Sequence, residues 1–347
     1  MTAQAASRQV PGGVAGDLVH LAEAFGLGEI LEAVFLPAGM MNRNWRLETP
    51  HGTFALKQIT DVPVEHARRS LGVQQALAAA GLPVCAPRRT TTGQAVAETG
   101  GRAYCLLPWA GGEHRAGTDL AAGEVFDLGA LVGRVHHALA APAAGLDPAA
   151  DGLRVKARTP QDALAEADRF LAIIAGRTTP DAFDAAADAA LRGRKKLIIT
   201  HAGQRPESAI ARGPAGWTHG DLQPLNLLWD NGVITAVLDW DRLRIRPYGE
   251  EVVRTARVQF ATGDGWDLER VAAFTTGYRS VVPISAAQVA DAVERQWWAC
   301  MTEFWQLHWH YDKGDHGPDH LWAPGERLLH WWSQRREQVR SAFTESR

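Results

Sequence analysis

The segment His219-Gly220-Asp221-Leu222-Gln223-Pro224-Leu225-Asn226 is followed, thirteen residues after its asparagine, by Asp239-Trp240-Asp241. Phosphoryl transfer from a nucleotide needs a carboxylate near the attacking hydroxyl and oxygen ligands for a magnesium ion on the phosphates. An Asp and an Asn five residues apart on one loop meet two of these needs, the carboxylate facing the hydroxyl and the amide oxygen facing the metal. Residues 227–229 and 234–238 are apolar runs around Asp230-Asn231-Gly232, and Asn-Gly between such runs is a strong hairpin signal. The hairpin brings Asp239 back beside the loop as a second metal ligand. The competing reading is a set of Asx turns and loop carboxylates. Against it, a buried strand ending in a bare carboxylate is costly without a metal or a partner.

The elements that must position these residues follow from pattern. Residues 30–36 read as a strand leading into the loop 37–42. Residues 45–49 alternate apolar and polar, Pro50-His51-Gly52 reads as a tight turn, and 53–59 return as a strand with Lys57 near its middle. Pro63 opens a helix that stops at Gly81. A further strand over 103–107 ends at Pro108-Trp109-Ala110-Gly111-Gly112. Helices are expected over 120–139, 160–176, 180–196 and 204–212, and again from 249 onward. The domain reading is a loose tail over 1–16, a β-rich lobe over 17–109 and a helical lobe over 110–347.

At this point the sequence resembles the aminoglycoside phosphotransferase and choline kinase-like family, which shares the protein-kinase fold. The family's catalytic loop H-G-D-x-x-x-x-N is His219-Gly220-Asp221…Asn226 here, and its metal-binding strand end is Val237-Leu238-Asp239-Trp240. The resemblance covers residues from about 30 to about 335. It implies an α+β, bilobal fold with a small antiparallel sheet in the N-terminal lobe and a mostly helical C-terminal lobe. It further implies Asp221 as catalytic carboxylate, Asn226 and Asp239 as magnesium ligands, and Lys57 as the strand lysine reaching the nucleotide phosphates. The loop from Gly39 through Asn42 to Asn44 would cover those phosphates. Leu107 and Trp109 would belong to the hinge that reads the adenine through backbone groups, with ATP the default over GTP. Family members pair the strand lysine with a helix glutamate. The corresponding position here is Ser70, and Glu65, one turn earlier, is the nearest substitute. Gln223 and Leu225 stand where relatives have His and Gly, which alters loop packing rather than chemistry.

The rest of the composition narrows the function. Net charge is −3 without a basic patch, so nucleic acid is not an expected partner. Cys85, Cys105 and Cys300 are odd in number and lack CxxC spacing, as in a reduced cytoplasmic protein. No run approaches a membrane span, and the N-terminus carries no secretion signal pattern. GxxxxGK, GxGxxG and GxSxG motifs are absent. The histidines at 136–137, 308–310 and 316–320 lack a recognised zinc spacing and read as packed or solvated.

Nine of thirteen tryptophans lie between Trp240 and Trp332. A single helix over 295–311, aromatic on most faces, is expected either to be core or to line a pocket. Glu303, Asp312, Asp315 and Asp319 nearby could grip a cationic acceptor, with Trp305 stacking on it and Asp241 a further candidate. The reading is therefore a Mg-ATP-dependent small-molecule kinase, a monomer or homodimer. Its acceptor is an antibiotic or a metabolite such as an amino alcohol, homoserine or sugar. The rival is a silent pseudo-kinase that binds nucleotide or ligand.

Overall fold

A computed structural model describes residues 13–37, 41–263 and 265–345. The chain forms two compact units. The first comprises Met1–Arg115, Ala138–Asp147 and His219–Leu243; the second comprises Ala116–His137, Pro148–Thr218 and Arg244–Arg347.

In the first unit, helix α1 (Leu18–Phe25) precedes strands β1 (Glu32–Leu36), β2 (Arg43–Thr49) and β3 (Gly52–Gln58). Helix α2 (Val64–Ala79) and strands β4 (Ala97–Thr99) and β5 (Arg102–Pro108) follow. The strands form one antiparallel sheet in the order β1-β2-β3-β5-β4. Period-two alternation is visible in β2 and β3, which bury Trp45 and Leu47, and Phe54 and Leu56. These side chains meet Leu21 and Phe25 of α1 and Tyr104 and Leu106 of β5 in one core. Burial of that apolar face decides the register, because a one-residue slip would turn the set outward. Of the expected tail, residues 1–12 lie outside the described residues, while Val14 is fully buried in the same core. Proline at the N-cap starts α2, and Gly81 at φ 79° follows its end in the left-handed conformation.

The boundary expected near residue 110 moves for a physical reason. The hairpin β6 (Leu227–Asp230) and β7 (Val233–Val237) bonds to the N-terminal segment. Glu113 and Trp229 exchange two backbone hydrogen bonds at 2.9 Å, and Val237 N–H donates to Pro83 O at 2.7 Å. Residues 219–243, expected in the helical lobe, therefore belong to the first unit. The hairpin turns on Asn231 at φ 47° and Gly232 at φ 79°, as its Asn-Gly pair requires.

The second unit is mostly helical: α3 (Ala122–Ala140), α4 (Pro160–Ala175), α5 (Ala182–His201), α6 (Tyr248–Phe260), α7 (Leu268–Arg279) and α8 (Ala286–Thr302). A short α9 (Trp305–Leu307), α10 (Trp322–Gln334) and α11 (Arg336–Thr344) complete it. Thr159, Asp181, Asp267 and Ser285 cap α4, α5, α7 and α8 with their side chains. Two glycines let α3 and α7 touch: a Cβ on Gly129 would lie 2.0 Å from Phe274 O, and one on Gly277 2.0 Å from Phe126 O. Trp297, Trp298, Trp322 and Trp332 are nearly fully buried, so much of the C-terminal aromatic content is core.

Two expected helices are corrected. A 3-10 turn, Ala202–Gln204, is followed not by a helix but by a short strand, Ala209–Ile210, pairing with Arg154–Val155. The expected helix over 295–311 ends at Thr302, because Glu303 turns extended (φ −101°, ψ 140°). After α9, residues His308–Asp312 form a π-helical turn. Among the described residues no helix is long and apolar enough to cross a membrane.

Candidate active site

The loop formed by residues 219–226 is shaped by one glycine. Gly220 has φ 84°, and a Cβ there would lie 2.4 Å from Arg242 O, so only glycine fits between His219 and Asp221. His219 is fully buried and bonds in two directions: Asp221 N–H donates to Nδ1 at 3.1 Å, and Nε2 lies 2.9 Å from Leu238 O. A nitrogen that accepts leaves the proton on the other, so His219 is the Nε2–H tautomer, donating to Leu238. The histidine thus straps the start of the loop to the residue preceding Asp239.

Asn226 closes the loop. Its Nδ2 donates to Asp221 O at 2.8 Å and to Asp221 Oδ2 at 3.2 Å, and Gln223 Nε2 donates to the same Oδ2 at 3.3 Å. These donors fix the direction of the Asp221 carboxylate and leave the Asn226 Oδ1 as the amide's acceptor atom. Leu238 N–H donates to Asn226 O at 2.8 Å, which extends the β6–β7 ladder by one step and sets Asp239 next to Asn226.

Asp239 carries backbone strain, at φ 57° and ψ 76° without being glycine. Such conformations cluster at functional sites, where surrounding contacts hold them. Here the contact is Lys57, whose Nζ donates to Asp239 Oδ1 at 2.9 Å and lies 2.8 Å from Asp241 Oδ2. Burial disfavours the ammonium, but the two carboxylates outweigh it and raise the Lys57 pKa above its ordinary value. Burial likewise works against the Asp239 carboxylate, yet Lys57 overcomes it and holds its pKa below the usual range. Both groups stay ionised at neutral pH. Cys105, opposite Lys57 in the ladder, is pushed up to about 12, chiefly by burial.

Several expected roles change. Glu65 is not the partner of Lys57: its side chain is 82% exposed and pairs with Arg68. Asp241 takes that place. Its side chain is only 9% exposed, bound by Lys57 and by Asn42 Nδ2 at 2.8 Å, so it does not face a substrate. Asn42 is a clasp, since its Oδ1 also accepts from Thr60 N–H at 3.0 Å and Asp61 N–H at 3.3 Å. From α2, His66 Nε2 donates to Asp241 O at 2.9 Å and Ser70 Oγ to Trp240 O at 3.1 Å. Neither residue belongs to a sequence motif. The place of the missing helix glutamate, Ser70, is the hint that α2 holds the 239–241 turn differently.

Gly39 lies outside the described residues. Trp109 is 41% exposed, under the Arg46 guanidinium, and its N–H is committed to Thr53 O at 3.0 Å. That amide is not available to a base, and Leu107 is paired with Ala55 in the sheet. In the second unit, Glu303 and the 42%-exposed Trp305 line one groove with Arg194, Cys300 and Gln306. Asp312 is engaged by Arg169 and His308, and Asp319 by His310 and His316, so neither carboxylate is free for a cationic acceptor.

Residues 32–284 match the model of the phosphotransferase enzyme family, and the chain belongs to that family. It is a small-molecule phosphotransferase acting on an alcohol group, built on a protein-kinase-like fold. Among solved structures it is similar to a spectinomycin phosphotransferase in complex with ADP and spectinomycin. That similarity has a TM-score of 0.66 at 14% identity and covers 93% of this chain and 98% of that one. An amicoumacin kinase in complex with AMP-PNP, Ca²⁺ and Ami matches at TM-score 0.57 and 16% identity, covering 95% of this chain and 94% of that one. A microcompartment-associated aminopropanol kinase matches at 0.58 and 15%, covering 95% and 100%. No curated protein matches the sequence.

Proposed function

We propose that the enzyme transfers the γ-phosphate of ATP to a hydroxyl of a small molecule, with Asp221 as the catalytic carboxylate. The observation that carries this reading is the convergence within one unit of an oriented carboxylate, Asp221, and a lysine held against Asp239. In the reaction the acceptor oxygen bonds to the γ-phosphorus as its bond to the ADP oxygen breaks, and the hydroxyl proton passes to Asp221. Lys57 neutralises phosphate charge. Because such a transition state is loose, positioning and charge supply most of the rate.

The residues suit magnesium. Asn226 Oδ1 and the Asp239 carboxylate are hard oxygen donors, and Asp239 is held ionised by Lys57. When bound there, the ion would screen the charge on the phosphate oxygens. Two neighbours are in complex with ADP or AMP-PNP, which supports a nucleotide as donor. Within the second unit, the groove lined by Glu303 and Trp305 suits a molecule with a cationic or flat portion. Arg194 and Arg257 line the same groove, and Arg194 is paired with Glu326, which offsets its charge.

The test uses purified protein, Mg-ATP and a panel of hydroxylated antibiotics, amino alcohols and sugars, with mass detection of an added phosphate. One acceptor should gain a phosphate. The variant Asp221→Asn should lose about 10²–10⁴-fold in kcat while its nucleotide affinity stays within a factor of a few. Full turnover by that variant on the same acceptor would remove Asp221 from the mechanism.

A further inference from the structure

Away from the loop that carries Asp221, three side chains of the second unit converge without a role in phosphoryl transfer. His310 sits in the π-helical turn His308–Asp312, and Asp319 in the 3-10 turn Gly317–Leu321, with His316 between them. His310 Nδ1 lies 2.8 Å from Asp319 Oδ2, while His316 Nδ1 lies 3.0 Å from His310 Nδ1 and 3.3 Å from Asp319 Oδ2. Among the described residues this is the one group of three or more His, Cys, Asp or Glu side chains with ligand atoms this close.

Imidazole protons alone do not satisfy the triangle around an ionised carboxylate. Each imidazole nitrogen carries at most one hydrogen, aimed at one acceptor. If both Nδ1 atoms are protonated and point at the carboxylate, two N–H groups face each other at 3.0 Å. If only one is, the other nitrogen and the carboxylate meet as two acceptors. A dication between them satisfies all three contacts. The spacing suits one: bonds of about 2.0–2.2 Å place neighbouring ligand atoms roughly 2.8–3.6 Å apart in octahedral to tetrahedral arrangements.

Two further observations point to a cation. Asp319 Oδ1 is buried without a hydrogen-bond partner, so donors do not compensate that side of the carboxylate. The His310 ring, 4% exposed, is locked by stacking on Phe183 at 4.1 Å and 13°, which pre-sets its nitrogen toward the cluster. π-Helical turns inside helices are frequent at functional sites, and this one presents His310. The side chain of His316 is 64% exposed, so the cluster opens to solvent and provides an entry path.

We propose that His310, His316 and Asp319 form a zinc site that clips the segment 308–321 closed. Two imidazoles and one carboxylate favour zinc over magnesium or calcium, which prefer all-oxygen shells. All three ligands fall within ten residues, His310 to Asp319, so the metal closes a short loop and has a structural role, with water completing its shell. The inference is independent of the nucleotide site.

The experiment uses full-length, tag-free protein stripped with a chelator, given zinc at micromolar concentration in excess Mg²⁺, and gel-filtered. Elemental analysis should find one zinc per chain, and thermal melting should shift upward on zinc addition. Co²⁺ in place of zinc should give visible absorption bands. His316→Ala, at an exposed position where folding is not threatened, should lose both the bound equivalent and the thermal shift. Asp239→Asn and His320→Ala should keep both. Zinc retained by His316→Ala and by Asp319→Asn, or no zinc retained by the unsubstituted protein, would overturn the proposal.

Discussion

Lys57 illustrates how far single residues can be read. Its position on a strand, upstream of the Asp221 loop, suggested contact with phosphates. The carboxylates that hold it are Asp239 and Asp241, 182 and 184 positions away, and α2 supplies no glutamate at all. Cys105, opposite Lys57, gives a prediction at this scale. Its thiol, 2% exposed and pushed up to about 12 by burial, stays protonated in the folded chain while an unfolded thiol ionises near 9. Between those values the folded state binds more protons, so stability is intact below about 9 and falls as pH rises toward 12. Denaturant melts from pH 8 to 11 should fall less steeply for Cys105→Ala than for the unsubstituted protein. Equal slopes would contradict the buried, protonated thiol. In the folded protein at pH 8.5, iodoacetamide should leave Cys105 unmodified.

At the scale of elements, the hairpin and its preceding loop act as one device. The Asn-Gly turn, the His219 strap and the Leu238–Asn226 bond bring Asp221, Asn226 and Asp239 together. Gly220→Ala tests whether the backbone sets the chemistry. The added Cβ would meet Arg242 O at 2.4 Å, at a φ of 84° that alanine rarely adopts. A loss of about 1–3 kcal/mol in stability is expected, together with a fall in kcat larger than the change in nucleotide affinity. An active variant with unchanged melting would show that the loop tolerates another backbone path. The π-helical turn is the counterpart in the second unit: it is a local departure from α geometry that aims His310, and helix periodicity alone does not anticipate it.

For the molecule as a whole, each unit has its own buried centre. In the second it is His136, which is fully buried, stacked on Tyr248 and bonded to Glu251 at 2.6 Å and Tyr278 at 2.9 Å. Those contacts tie α3 to α6 and α7. Removing the imidazole leaves a buried carboxylate without that partner, so His136→Ala should cost about 3–5 kcal/mol in chemical denaturation. A loss below about 1 kcal/mol would place the pair among those that contribute little, as exposed ion pairs do.

The features legible in the sequence are local. The Asp221–Asn226–Asp239 set, the β2–β3 and β6–β7 hairpins and the sheet strands follow from short-range spacing, turn chemistry and periodicity. Those signals survive because the atoms concerned are joined by short lengths of chain. Only tertiary structure decided that Asp241 replaces a helix glutamate, that Asn42 clasps it across 199 positions, and that residues 219–243 join the N-terminal unit. It also decided that His310, His316 and Asp319 meet. These outcomes depend on which elements pack against which, and on one irregular turn. The residues proposed for phosphoryl transfer lie on short segments, whereas the carboxylates that hold Lys57 come from distant ones brought to it by burial.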